Sequence, residues 1–285
     1  MKIRQRLAFA YIRAKFGLLS VLSPSLAARS AFKLFCTATD RDVKDLPEIF
    51  RQAEELNLHF ESYKIRGYRW NRGASRKVMI LHGFQSSAIN FEGYVQPLID
   101  KGFEVLAFDG PAHGRSSGKY VNAFQYRDFI RQIHENLGPM HAFIGHSLGG
   151  LSLSLALAEM QHDEKLRVAI IAPATETRTA INHFCRQLNL KPDVKKLFED
   201  IIVTKGGRSI DAISVTESMK KIKASVLWIH DEDDRVTPLS DAASIRNAAY
   251  PNVRFEITKG LGHSRIYRDG NVVEKVVRFV DGEMF

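Results

Sequence analysis

Gly145-His146-Ser147-Leu148-Gly149 follows the apolar run Ala142-Phe143-Ile144 and opens a helical stretch that begins at Leu148. By chance G-x-S-x-G is expected about 0.1 times in a chain of this length. Its weight comes from the setting. A strand that turns sharply into a helix strains the residue at the bend, glycines on either side relieve the crowding, and the Ser147 hydroxyl projects at the carboxyl edge of a sheet. A neutral hydroxyl is a poor nucleophile, so a base must take its proton and a carboxylate should orient that base. Downstream, the run Val226–Ile229 leads into His230-Asp231-Glu232-Asp233-Asp234-Arg235-Val236-Thr237-Pro238, and Val253–Ile257 leads into Gly260-Leu261-Gly262-His263. Taken singly, the clustered acids read as a solvated loop and the histidine as a surface residue. Their order, acid then histidine, each after its own strand, favours the chemical reading.

These stretches resemble the α/β-hydrolase family, and the resemblance covers most of the chain from about Lys77 onward. It implies Asp234 as the acid, because Val236 and Pro238 then fall at the offsets of G-x-x-D-x-V-x-P, and His263 as the base. Asp231 stands where many members carry glycine, which leaves Asp233 as an alternative acid. The resemblance also implies the backbone N–H groups of Phe84 and Leu148 as donors to a developing oxyanion. Phe84 belongs to His82-Gly83-Phe84-Gln85 after the first parallel strand, where His82 is expected to be structural. Asp109-Gly110-Pro111-Ala112-His113-Gly114-Arg115-Ser116 resembles the family's D-x-P-G-x-G-x-S loop with Ala112 in place of glycine, and it reads as a turn rather than a second centre. His146 is expected to shape the turn around Ser147.

What the resemblance implies is a serine hydrolase that cleaves a small-molecule carboxylic ester through a Ser147-Asp234-His263 triad and an acyl-enzyme, with no metal or cofactor. Thioesterases, amidases or peptidases, C–C hydrolases and acyltransferases use the same groups and remain open. A reading of another class is a non-catalytic binding protein, or a membrane-docked module, that keeps the fold.

The elements that must position these residues are legible as short apolar runs alternating with helical stretches. Val78–Leu81, Phe103–Phe108, His141–Gly145, Val168–Ile171, Val226–Ile229 and Val253–Ile257 read as strands, and His59–Trp70 as a hairpin. Helices are expected over Phe91–Ile99, Phe124–Leu137, Leu148–Met160, Leu239–Ala249 and Val272–Val280. The pattern predicts an α/β fold of the α/β-hydrolase type, with a mostly parallel central sheet and helices on both faces. Residues 1–57 are expected as an N-terminal helical extension, and 58–285 as the hydrolase-type domain. A cap is expected to be inserted at about 173–224, with one helix marked by Ile181, Phe184 and Leu188 and a second by Val194, Leu197, Phe198 and Ile201. Within residues 2–34, Leu7, Tyr11, Ala14, Leu18 and Leu22 form a helical stripe broken by Ser23-Pro24. Such a stripe ordinarily docks on the protein's own body or a partner subunit, although a basic amphipathic helix can also lie on an anionic membrane.

Composition bounds the rest. With 45% hydrophobic and 26% charged residues the chain falls among folded globular proteins. The net charge of +9 would suit an anionic partner, but the basic residues are interleaved with acids along the sequence and match no nucleic-acid module. Cys36 and Cys185 suggest neither a disulfide framework nor a zinc site. Met1–Arg6 begins like a signal peptide, but Arg13 and Lys15 interrupt what would be its apolar segment. A cytoplasmic location is expected.

Overall fold

The apolar runs become the parallel strands of one sheet. The structure, a computed structural model, describes residues 3–39, 41 and 45–283, with side chains from residue 10 onward. In chain order its elements begin with α1 (Ile3–Leu22), α2 (Pro24–Phe35), α3 (Glu48–Arg51), β1 (Glu54–Phe60), β2 (Tyr63–Trp70) and β3 (Arg76–Leu81). Next come α4 (Glu92–Asp100), β4 (Phe103–Phe108), α5 (Ala123–Leu137), β5 (Ala142–His146), α6 (Leu148–Leu157) and β6 (Arg167–Ile171). The last are α7 (Thr177–Leu188), α8 (Pro192–Gly206), α9 (Val215–Met219), β7 (Ser225–Asp231), α10 (Ala243–Ala248), β8 (Val253–Thr258), α11 (Gly262–Arg265) and α12 (Gly270–Asp281).

The strand order is β1-β2-β4-β3-β5-β6-β7-β8. From β4 to β8 every pairing is parallel, whereas β1 and β2 add an antiparallel hairpin at the β4 edge. Register places Ala107, Ile80, Ile144, Ala169 and Leu227 in one row across the sheet, all buried. This row packs with Tyr94, Val95 and Leu98 of α4 and Val272, Val276 and Val280 of α12. Alternate residues point the other way, where Phe108 meets Phe129 and Phe143 meets His134, both on α5. Helices therefore cover both faces, as near-continuous apolar strands require. The hairpin begins at Glu54 rather than near His59. On this edge strand Glu55, Asn57 and His59 share one side and are all exposed, so its outward positions are polar.

The chain divides into two compact units whose boundaries differ from the expected extension and cap. The residues up to Thr37 cluster with Glu176–Ile213, and Ala38–Thr175 cluster with Ser214 onward. The extension thus ends about twenty residues before position 57, and its helices share a unit with the insert. The described residues from 45 to 57, expected as the end of that extension, belong instead to the larger unit, where α3 and the start of β1 lie; residues 40 and 42–44 are outside the described ones. In the larger unit the Val215 N–H donates to the Thr175 carbonyl at 2.9 Å, closing the point where the insert leaves and returns.

In the smaller unit α2 packs on α8. Ala27, Ala28 and Ala31 are fully buried, small residues that let the backbones approach. Phe198 is fully buried, with its ring 6.3 Å from Phe32, 5.6 Å from Phe35 and 5.7 Å from Phe184. Both cysteines are buried here, and burial pushes the Cys36 thiol up to about 12 and Cys185 up to about 11, so both stay protonated and unreactive. The N-terminal stripe does not dock on the chain's own body, one of its expected partners. Tyr11, Ala14, Leu18 and Leu22 are exposed, and Phe16 and Ser20, on the opposite side of α1, are buried instead; the Leu7 side chain lies outside the described ones.

Candidate active site

Ser147 occupies the bend between β5 and α6 with φ 53° and ψ −119°, a left-handed conformation that costs a non-glycine residue of order 1–3 kcal/mol. The surroundings hold it there. Its N–H donates to the Ile171 carbonyl at 3.2 Å, and its own carbonyl accepts from Ala174 N at 3.1 Å. Gly149 is required by close approach, since a Cβ there would stand 2.6 Å from the carbonyl oxygens of both Leu81 and His82.

His263 enters from the loop after β8. Its Nε2 lies 3.0 Å from Ser147 Oγ and its Nδ1 lies 2.8 Å from Asp234 Oδ2. With Nδ1–H donating to the carboxylate, Nε2 carries a lone pair that faces the Ser147 hydroxyl. Asp234 comes from the loop after β7 and is fully engaged. Its Oδ1 accepts from Val236 N at 2.8 Å and Thr237 N at 2.9 Å, and its Oδ2 also accepts from Thr237 Oγ at 2.9 Å. Burial works against its charge, but the His263 hydrogen bond and charge, with the Thr237 and Val236 amides, hold the carboxyl below the ordinary aspartate range. The arrangement brings Ser147, Asp234 and His263 together in one hydrogen-bonded line.

Asp233 is placed elsewhere, with its Oδ2 accepting from Gly260 N at 3.0 Å. Asp231 accepts from Leu261 N at 3.0 Å, Gly262 N at 2.9 Å and the Thr258 hydroxyl at 2.7 Å. Two carboxylates of the acid loop therefore take three consecutive amides of the histidine loop, residues 260 to 262. Gly260 and Gly262 sit at φ 81° and 61°, so glycine suits the path that presents those amides. Burial opposes ionisation of Asp231, yet the Thr258 hydroxyl and the Gly262, Leu261 and Asp233 amides hold its carboxyl below the ordinary range.

The two oxyanion candidates are backbone groups beside Ser147. Leu148 N–H is the first amide of α6, one of those a helix start leaves without an intrahelical acceptor. Gly83, next to Phe84, lies so near the serine that a Cβ on it would stand 2.9 Å from Ser147 Cβ. His82 fixes this loop, because its Nε2 accepts from Gly110 N at 2.9 Å and its carbonyl accepts from the Tyr126 hydroxyl at 3.2 Å. Asp109 is buried and closes its own turn, accepting from Ala88 N at 2.9 Å and Arg115 N at 2.8 Å. Ala112 has φ 67°, which explains why glycine is usual at that position.

Two contributors, Thr237 and His230, were not singled out by sequence. Thr237 touches Asp234 and also lies 3.1 Å from His263 Nδ1. His230 is buried behind it, receiving the Trp228 indole N–H on Nδ1 at 3.2 Å and donating from Nε2 to the Thr237 carbonyl at 2.6 Å. The only sequence signal for either was proximity to Asp234. His146 does more than flank the serine. Its Nε2–H donates to the His263 carbonyl at 3.1 Å and its ring lies tilted against Tyr267, 4.3 Å between centroids, so it supports the loop that carries His263. Burial, with His263 nearby, holds His146 well below the ordinary histidine range and keeps it neutral.

Residues 73–213 match the family described as serine aminopeptidase, S33, a span that includes Gly83 and Ser147. A serine hydrolase-like protein of Dictyostelium discoideum is 26% identical over 206 residues, 64% of this chain and 51% of that protein, so the chain spans about half the length of this relative. A bifunctional esterase/perhydrolase of Acinetobacter calcoaceticus is 23% identical over 252 residues, 72% of this chain and 91% of its own length. Among solved structures, the Pyrococcus furiosus esterase Pf2001 superposes with a TM-score of 0.63 at 22% identity, covering 86% of this chain and 97% of that one. With its sheet order, its strand-to-helix bend at Ser147 and its likeness to this solved structure, the chain has the α/β-hydrolase fold.

Proposed function

We propose that this chain is a serine hydrolase that cleaves a carboxylic ester through an acyl-enzyme. The observation that carries the reading is the His263 ring, which spans Ser147 Oγ at 3.0 Å and Asp234 Oδ2 at 2.8 Å. Ser147 Oγ attacks the ester carbonyl carbon while its proton passes to His263 Nε2. The C–O π pair moves to the carbonyl oxygen, where the Phe84 and Leu148 N–H groups receive the negative charge. Collapse of this intermediate breaks the bond to the alcohol oxygen, which takes the proton from His263 and leaves. Water, deprotonated by His263, then attacks the acyl carbon; the acid departs and Ser147 regains its proton. Throughout, Asp234 keeps the imidazole in the Nδ1–H tautomer and stabilises its cation.

The esterase names borne by the Acinetobacter and Pyrococcus relatives point the same way. The test is covalent labelling with a fluorophosphonate, followed by turnover of an ester panel beside matched thioesters and amides. Wild-type protein is expected to label and Ser147→Ala is not; equal labelling of both would remove Ser147 from this role. Faster turnover of thioesters or amides than of esters would keep the nucleophile and replace the substrate class.

A further inference from the structure

The two compact units differ in charge in a way the linear sequence conceals. Of the 41 basic and 32 acidic residues, the smaller unit holds fourteen basic and five acidic, and the larger holds 27 of each. The smaller unit therefore carries the whole net charge of +9. Half of its basic residues lie before Thr37, a stretch that contains no acid.

On the same unit α1 is apolar on two sides. Phe16 and Ser20 are buried, Ile12 and Leu19 are half-buried, and Arg13 Nε donates to the Gln187 carbonyl at 2.8 Å, which fixes the inward side. The outward side presents Tyr11, Val21 and Leu22 at 71% exposure and Leu18 at 62%, and beyond the Ser23 turn Leu26 at 45%. A helix that is apolar all round ordinarily has both sides covered. Lys15 lies within this outward side, and α2 turns Arg29 and Lys33 to its own exposed side.

We propose that the smaller unit docks on an anionic phospholipid bilayer, laying the outward side of α1 and the turn into α2 in the headgroup layer. Apolar side chains enter the acyl boundary, the Tyr11 ring suits the interface, and Lys15 can extend to lipid phosphates along its own stem. Charge selects this occupant over a second copy of the chain. Two faces of a +9 unit repel, and Lys15 would be buried unpaired at the centre of a self-interface. A soluble polyanion would use the charge but leave the leucines uncovered. Among the described residues no helix is long and apolar enough to cross a membrane, so the contact is docking rather than spanning.

The test is sedimentation of the full chain with phosphatidylcholine vesicles that contain or lack phosphatidylserine, beside analytical ultracentrifugation and binding to a short DNA duplex. Wild-type protein is expected to sediment with the phosphatidylserine vesicles and to be released by salt. Leu18→Glu with Leu22→Glu should weaken partition by more than about tenfold, and Lys15→Ala by about fivefold. Because these side chains are exposed, unchanged melting would show that the fold is intact. Ser147→Ala should sediment as wild type does, since the docking does not rest on the ester chemistry. The proposal is overturned if wild type ignores both vesicles, if the leucine variants bind as well as wild type, if those variants instead dissociate a dimer, or if DNA binds in their place.

Discussion

In the larger unit, equal numbers of acids and bases are arranged at short range. Arg76 and Lys101 converge on Asp281, Arg127 and Arg131 on Glu159, and three aspartates of one loop each face a chosen amide or imidazole. The smaller unit has nine more bases than acids, and two of its acids, Asp211 and Glu199, are already close to Arg178 and Lys195. A balanced set of charges fixes geometry over a few ångströms. An unbalanced set produces a field felt across a Debye length, about 8 Å at physiological salt. Net charge for the whole chain therefore averages a neutral unit with a strongly cationic one.

The largest expected effect sharpens the short-range side. Asp234→Asn should lower ester kcat/KM by about 10⁴-fold, because the wrong tautomer of His263 is then favoured, whereas Asp233→Asn should change it far less. A greater loss for Asp233→Asn would reassign the acid. Next, Phe198→Ala should destabilise the smaller unit by about 3–5 kcal/mol, since it empties the ring cluster of α2, α7 and α8. Hydrogen exchange should show lost protection in those helices and little change in β3, β5 and β6. Equal loss in the sheet would break the division into two units. Smaller still, Asp231→Asn should cost about 1–3 kcal/mol at neutral pH by weakening the acceptor of the Leu261 and Gly262 amides. Its folded carboxyl lies below the ordinary range, so the stabilisation is present above that range and disappears as pH falls through the folded value. Urea unfolding of both proteins should give a gap at pH 7 that narrows as pH falls below the ordinary aspartate range. A gap unchanged between the two would mean that the charge of Asp231 is not its source.

How much of this was legible follows the range of the interactions involved. The parallel strands were readable because burial on both faces makes each one a local apolar run. Ser147, Asp234 and His263 were readable because each follows such a run. The first residues of β1 were not, since Glu54 and Glu55 are both exposed although they lie on opposite faces of the edge strand, which spoils the alternation. The inward side of α1 was also hidden, because Ile12, Phe16 and Leu19 are as apolar as Tyr11, Leu18 and Leu22 and periodicity cannot rank two apolar sides. Grouping residues before Thr37 with Glu176–Ile213 depends on contacts far apart in sequence, which no local pattern encodes. The roles of Asp231 and Asp233 were not readable, which left Asp233 as an alternative acid, because their partners are backbone amides of a loop that follows the next strand.

The bend at residue 147 also restricts which hydroxyl the chain can use there. Threonine bears the same functional group, but a branched Cβ is a severe outlier at φ 53°, and the nearby Gly83 leaves little room for an added methyl. The primary alcohol is thus selected by torsion and space, before reactivity is compared at all.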